Sequence, residues 1–152
     1  MQTLSRTTSN NQDFQKLTAL FDEYLIDIDG DEKDFFAQYN QVYLDHVIIS
    51  YDNNIAVGCG AFKKHPNHTV ELKRMFVHPD FRGKGISKLI LNELENWAIE
   101  LGNYQFILET SIKLITAMEL YQKSGYLPTE NYGQYIGVAS SYCMKKINEP
   151  LQ

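Results

Sequence analysis

The 152-residue chain is predicted to fold as one α/β domain over residues 1–152, an α/β/α sandwich around a central mixed, mostly antiparallel sheet. Three observations predict this. Two helical patterns precede the first long strands. The segment from His46 to Val77 reads as three strands joined by short turns, the pattern of antiparallel neighbours. From Thr69 onward strands and amphipathic helices alternate as β-α-β-α-β, which adds a parallel pairing to the sheet.

Residues 3–7 form a short first strand. Ser9-Asn10-Asn11 offers helix caps ahead of Phe14, Leu17, Leu20, Phe21 and Tyr24, which recur at helical spacing. The acids and glycine of Ile26–Glu32 interrupt that helix, and a second covers residues 32–40 with Phe35, Phe36 and Tyr39. His46–Tyr51 is a strand, Asp52-Asn53-Asn54 a turn, and Ile55–Phe62 its hairpin partner. His65-Pro66-Asn67 turns the chain into a long strand, Thr69–Val77. The next helix buries Ile86, Leu89, Ile90, Leu94, Trp97, Ala98 and Leu101, and Gly102 ends it. Phe106-Ile107-Leu108 is a buried strand, residues 115–124 a helix stopped by Gly125, and Ser141–Ile147 the last strand.

Composition bounds the partners. Apolar residues make up 43% and charged residues 22%, ordinary for a globular protein. A net charge of −5 argues against nucleic acid. No apolar run approaches the ~18 residues of a membrane span, and Met1–Arg6 lacks a signal-peptide core. Cys59 and Cys143 stand far apart in no metal or redox spacing, which reads as two buried thiols in the reducing cytoplasm. His46, His65, His68 and His78 show no ligand spacing, so no metal is expected.

The most informative stretch is Val77-His78-Pro79-Asp80-Phe81-Arg82-Gly83-Lys84-Gly85-Ile86-Ser87. It joins a strand to an amphipathic helix through two glycines and two cations. Glycines let a backbone approach an anion closely. A helix N-terminus aims unpaired N–H groups and its positive dipole end at the same spot. Arg82 and Lys84 add charge-assisted contacts. This combination suits a pyrophosphate. A nucleotide P-loop is excluded, because His78 stands where its first glycine belongs and Gly85 follows Lys84. A dinucleotide fingerprint is excluded by Lys88 at its third glycine, although Glu109 lies at roughly the right distance.

The pattern Arg/Gln-x-x-Gly-x-Gly/Ala fits, filled by Arg82, Gly85 and Ser87 with serine as the one departure. With Lys73-Arg74-Met75-Phe76-Val77 before it, the stretch resembles the acetyl-CoA-binding motif of the GNAT superfamily of N-acetyltransferases. Leu108-Glu109-Thr110-Ser111 and Ala117–Tyr126, with its Leu-Tyr-x-Lys-x-Gly-Tyr run, resemble that family's fifth strand and following helix. The resemblance covers residues 70–126 and extends to the order of elements. It implies acetyl-CoA as cosubstrate, bound by Met75, Phe76, Val77, Arg82, Gly83, Lys84, Gly85, Ile86 and Ser87. It also implies an oxyanion donor at the backbone N–H of Phe76 or Val77. Lys88, Lys113 and Lys123 either reach the ADP end or are solvated helix charges.

Acetyl transfer poses two proton problems. A lysine-like amine with pKa ~10.4 is neutral to only about one part in 2,500 at pH 7, a handicap of roughly 4–5 kcal/mol. The departing thiolate benefits from a donor. Glu71, six residues before Val77, matches the position of a glutamate that some family members use as general base; the alternative reading is a strand carboxylate paired with Lys73. Glu109, at the C-terminal end of its strand, is the second candidate, or a partner of Thr110 and Ser111. Tyr121 occupies the Leu-Tyr tyrosine that protonates the CoA sulfur in many members, or it is a packing residue. Regular alternation places Glu71, Lys73, Met75 and Val77 on one face. A bulge near Met75, common in the family, would re-aim part of the set.

The acids Asp27, Asp29, Asp31 and Glu32 form either a solvated loop or a lure for a cationic amine. The expected reaction is direct attack of a small-molecule or peptide amine on acetyl-CoA in a ternary complex, since neither cysteine has a histidine nearby in sequence to activate it. The competing class is a non-catalytic acyl-CoA binder. Amino acids, polyamines, aminoglycosides, peptide N-termini and protein lysines all remain open as acceptors, and so does a larger acyl group. The Tyr132–Gly137 segment shapes the acceptor or acyl pocket, or joins a homodimer contact.

Overall fold

The computed structural model describes residues 2–148. The chain runs β1 (Gln2–Thr7), α1 (Gln12–Asp29), a 3-10 turn (Gly30–Glu32), α2 (Lys33–Asn40), β2 (His46–Asp52), β3 (Ile55–His65) and β4 (Thr69–Val77). After a second 3-10 turn (Pro79–Phe81) come α3 (Ile86–Glu100), β5 (Gln105–Ser111), α4 (Ile115–Lys123) and β6 (Leu127–Thr129). A third 3-10 turn (Gly133–Tyr135) leads to β7 (Ser141–Ile147). One seven-stranded sheet has the order β1-β2-β3-β4-β5-β7-β6. The β4–β5 pair is parallel and the others antiparallel.

Helices cover both faces. Ile86, Ile90, Leu91, Leu94 and Ala98 of α3 pack against Ile48, Val57, Phe62, Val70, Leu72, Phe106 and Leu108 on one face. On the other, Phe14 and Leu17 of α1 meet Val47, Ile49, Cys59 and Phe76. Each fully buried aliphatic side chain contributes about 1.5–3 kcal/mol of transfer free energy. Phe36 of α2 reaches Tyr135 and Cys143 in a third cluster. Beyond the sandwich core, the buried Glu95 of α3 accepts hydrogen bonds from Tyr126 Oη (2.7 Å) and Lys146 Nζ (2.9 Å), tying α3 to the end of the sheet.

Several boundaries differ from the sequence expectation. The first helix does not break at Ile26 but continues to Asp29, where Gly30, at φ 55°, caps it through an N–H to the Ile26 carbonyl. Asp27 and Asp29 oppose the helix dipole there. Lys113 Nζ offsets this by donating to the Ile28 carbonyl at 2.8 Å, satisfying one of the terminal oxygens. The second long strand runs on to His65 because Lys63, Lys64 and His65 pair with Glu71, Val70 and Thr69. Leu89 and Leu101 are 44% and 47% exposed, and Leu91 takes the core position instead. The short edge strand β6 contains Pro128, a residue edges tolerate, and had no counterpart in the sequence reading.

The feature that shapes the site lies in β4. Cys59 pairs with Phe76 and Ala61 with Lys73, so Arg74 and Met75 together oppose the single residue Gly60. Arg74 carries the extra step in the left-handed region at φ 58°. That conformation costs a non-glycine residue roughly 1–2 kcal/mol. Its guanidinium offsets the cost by donating to Asp22 (2.7 Å) and the Thr18 carbonyl (3.2 Å) and by stacking on Phe21. Strict alternation therefore fails after Lys73. Met75 and Val77 turn to the α3 face, and Phe76 takes the α1 face. Glu71 and Lys73 remain opposite them, and the bulge foreseen near Met75 is the cause.

Candidate active site

Parallel pairing of β4 with β5 ends at Leu72 and Leu108, next to the bulge. A cavity of about 570 Å³ opens where the pairing stops. Its walls come from the second half of β4, the Arg82–Lys88 loop and helix start, the end of β5, α4, and the helices α1 and α2.

The loop between β4 and α3 lies at one end of this cavity. Gly83 and Gly85 sit at φ 79° and 78°, where a side chain would be strained, and Gly85 caps α3 with no side-chain hydrogen bond. The first internal bond of α3 is Leu89 N–H to the Gly85 carbonyl, so the amides of its first turn stay open to an anion. Met75, Phe76, Val77, Arg82, Gly83, Gly85, Ile86 and Ser87 all line the cavity. Lys84 stands outside the lining, its ammonium 5.2 Å from the Phe81 ring centre. Arg82 is turned from the expected phosphate contact toward the sheet. Its Nε donates to the Val77 carbonyl at 3.0 Å, and its guanidinium lies over Tyr24 and Phe76. Lys88 and Lys113 line the cavity, Lys113 also donating to the Ile28 carbonyl of α1, and Lys123 lies outside the lining.

All three candidate catalytic residues, Glu71, Glu109 and Tyr121, line the same cavity. Glu71 is 3% exposed. Its carboxylate accepts from Tyr132 Oη at 2.8 Å and meets His65 Nε2 at 2.9 Å and Lys73 Nζ at 3.6 Å. The Lys73 pairing was foreseen. The tyrosine and histidine were not, because they lie 61 and 6 residues away in sequence with no spacing to signal them.

Glu109 accepts from Ser141 Oγ at 2.5 Å and pairs across the sheet with Cys143. Burial pushes its carboxyl up to about 7, with the negative charges of Asp29 and Glu71 adding to the rise and Ser141 and Lys73 opposing it. Folded Glu109 therefore keeps its proton well above the pH at which an unfolded glutamate releases it. Between those values the native state binds more protons, and stability falls as pH rises. Glu109→Gln is expected to stabilise the protein by about 1–3 kcal/mol at pH 8 and by almost nothing at pH 4.5. Thermal melts at the two pH values check this, and equal effects at both would reject a raised carboxyl.

Tyr121 is 6% exposed, its ring 5.8 Å from that of Tyr126. Burial, then the charge of Glu109, hold its phenol above the ordinary tyrosine value, so it stays protonated at physiological pH. The α1–α2 end of the cavity carries Phe21, Tyr24, Phe36 and Tyr135, and Asp29 stands among them. Burial and the charge of Glu32 raise the proton affinity of Asp29, and Lys113 opposes this. Tyr135 places the Tyr132–Gly137 segment at the pocket wall, one of the two roles considered for it.

A parallel strand pair parting at a bulge, a helix start with open amides and a carboxylate-bearing cavity thus meet in one site, in an α/β fold shared with known proteins. Residues 12–126 match the model of the acetyltransferase (GNAT) family, and the chain belongs to that family. It is 33% identical over 89 residues to an IAA acetyltransferase of Azospirillum brasilense, covering 58% of each chain. It is 26% identical over 133 residues, 80% of each chain, to an uncharacterised N-acetyltransferase of Schizosaccharomyces pombe. The fold matches that of a Klebsiella pneumoniae protein assigned to the acyl-CoA N-acyltransferases (TM-score 0.84, 24% identity, 98% of this chain and 99% of that one). It also matches a GNAT family acetyltransferase of Elizabethkingia anophelis with acetyl-CoA bound (TM-score 0.71, 18% identity, 96% and 97%). No helix among the described residues is long and apolar enough to cross a membrane.

Proposed function

We propose that this protein transfers an acetyl group from acetyl-CoA to a primary amine by direct attack in a ternary complex. The observation that carries the reading is the shared cavity. One space of about 570 Å³ runs from the open amides of α3 to two carboxylates and a buried tyrosine. A non-catalytic acyl-CoA binder has no need of carboxylates at the acceptor end.

The roles follow from position. The loop and the start of α3 hold the pyrophosphate. The backbone N–H of Phe76 or Val77, beyond the bulge, faces the developing oxyanion. Glu71 takes the proton from the acceptor ammonium, and the neutral amine attacks the thioester carbon. The C–S bond then breaks, and Tyr121 gives its proton to the departing sulfur. Asp29, at the α1–α2 end of the cavity, attracts the cationic acceptor. The two thiols support direct attack over an acyl-enzyme: burial pushes Cys59 up to about 12 and Cys143 up to about 11, so neither supplies a thiolate nucleophile near neutral pH.

The test is thiol release from acetyl-CoA with a panel of amines: amino acids, polyamines, aminoglycosides, peptides and lysine-containing proteins. Turnover above hydrolysis by one class establishes the activity and its acceptor. Acetyl-CoA binding with silence across the panel favours the binder. Repeating the panel with propionyl-CoA reads the acyl preference.

A further inference from the structure

A base buried in the cavity wall needs a way to lose the proton it gains in each turnover. Resting on the reading above, we infer that His65 is the proton exit of the site, carrying the proton from Glu71 to solvent.

The geometry is specific. Glu71 and His65 lie on one face of the β3–β4 hairpin, with Lys63 directly opposite Glu71 and His65 opposite Thr69. They are diagonal neighbours, a separation that long side chains bridge. His65 Nε2 stands 2.9 Å from Glu71 Oε1. The Glu71 side chain is 4% exposed and that of His65 31%, so the pair spans from cavity wall to bulk water. Tyr132 Oη occupies Oε2 at 2.8 Å. That bond fixes the carboxylate plane and leaves Oε1 to the imidazole. Glu109 has a different environment: its hydrogen bond goes to Ser141, a buried residue that offers no titratable path outward.

The proton balance is simple. The acceptor N–H bond breaks and an O–H bond forms on Glu71. Glu71 passes that proton to His65 Nε2 while Nδ1 releases one to water. Tautomer exchange of the neutral ring then restores the acceptor nitrogen. The groups facing the Glu71 carboxylate are His65 from β3, Lys73 from β4 itself, Tyr132 from the segment before β7, and the charge of Glu109 from β5. His65 touches no reacting atom and is therefore a positioning and proton-carrying residue.

The test uses the full-length protein, acetyl-CoA and the amine that the wild-type chain turns over fastest in the panel above. His65→Gln keeps a donor toward Glu71 but cannot relay a proton. The relay predicts an unchanged melting temperature and KM, with kcat lowered about tenfold or more in His65→Gln. It also predicts that added imidazole restores kcat in His65→Ala, a rescue that a structural role would not produce. Wild-type turnover with an unaffected His65→Gln, or with no imidazole rescue of a slowed His65→Ala, overturns the relay alone. Silence of the wild-type chain with every amine overturns the acetyltransferase reading and the relay with it.

Discussion

Replacing Tyr121 by phenylalanine is expected to lower kcat by about 10²–10⁴-fold and to leave acetyl-CoA affinity nearly unchanged. The phenol is buried against Tyr126 at the cavity wall, and burial with the charge of Glu109 keeps it protonated. A protonated phenol is a donor, and the departing thiolate is the group that needs one. Phenylalanine fills the same space, so packing and melting temperature should hold. Steady-state kinetics with acetyl-CoA and the best panel amine, beside a direct measurement of acetyl-CoA binding, separate the two readings. A packing-only tyrosine would leave kcat near wild type, which would remove Tyr121 from the chemistry.

The second large effect is on stability. A Cβ built at Gly60 would lie 2.5 Å from Met75 Sδ, 2.8 Å from Ile90 and 2.9 Å from Leu94. Gly60 is the single residue facing both bulge residues, so the added atoms have no empty space to enter. The Met75 thioether can swing aside, but the two α3 side chains are packed into the main core. Gly60→Val is expected to destabilise the fold by about 3 kcal/mol, the upper part of the range for overpacking. At this chain length that lowers the melting temperature by roughly 6–12 °C. A melt at the wild-type temperature would mean that the bulge and α3 do not press on Gly60.

The two predictions touch the parts of the molecule that were read most and least easily from its residues. Helical spacing and apolar runs bounded by turns located every long element, because β2, β3 and β4 are buried almost continuously and the helices on one face. Gly83 and Gly85 marked the loop ahead of α3, because backbone at positive φ favours glycine. Where the reading failed, the deciding contact was distant. Lys113, from the other end of the chain, extends α1 past its acids. The three-residue β6 is too short and too exposed to show a period. The bulge at Arg74 was expected only through the family resemblance and left no local mark of its own, since its support comes from Asp22 and Thr18 on α1. Glu71, Glu109 and Tyr121 could be nominated one by one. The Tyr132 and His65 partners of Glu71 could not, because hydrogen bonds between side chains from different segments carry no sequence spacing.

The two cysteines have a practical consequence at the bench. Cys59 and Cys143 are 0% and 1% exposed. A disulfide dye reacts with thiolate that it can reach. Added to a running reaction, such a dye colours with liberated CoA while the folded enzyme contributes almost no background. Mixing the dye with denatured enzyme supplies the opposite control, two equivalents of colour per chain from the same two sulfurs. The burial of both sulfurs thus makes continuous colorimetry a clean meter of turnover and, through the denatured control, of the fraction of enzyme that is folded.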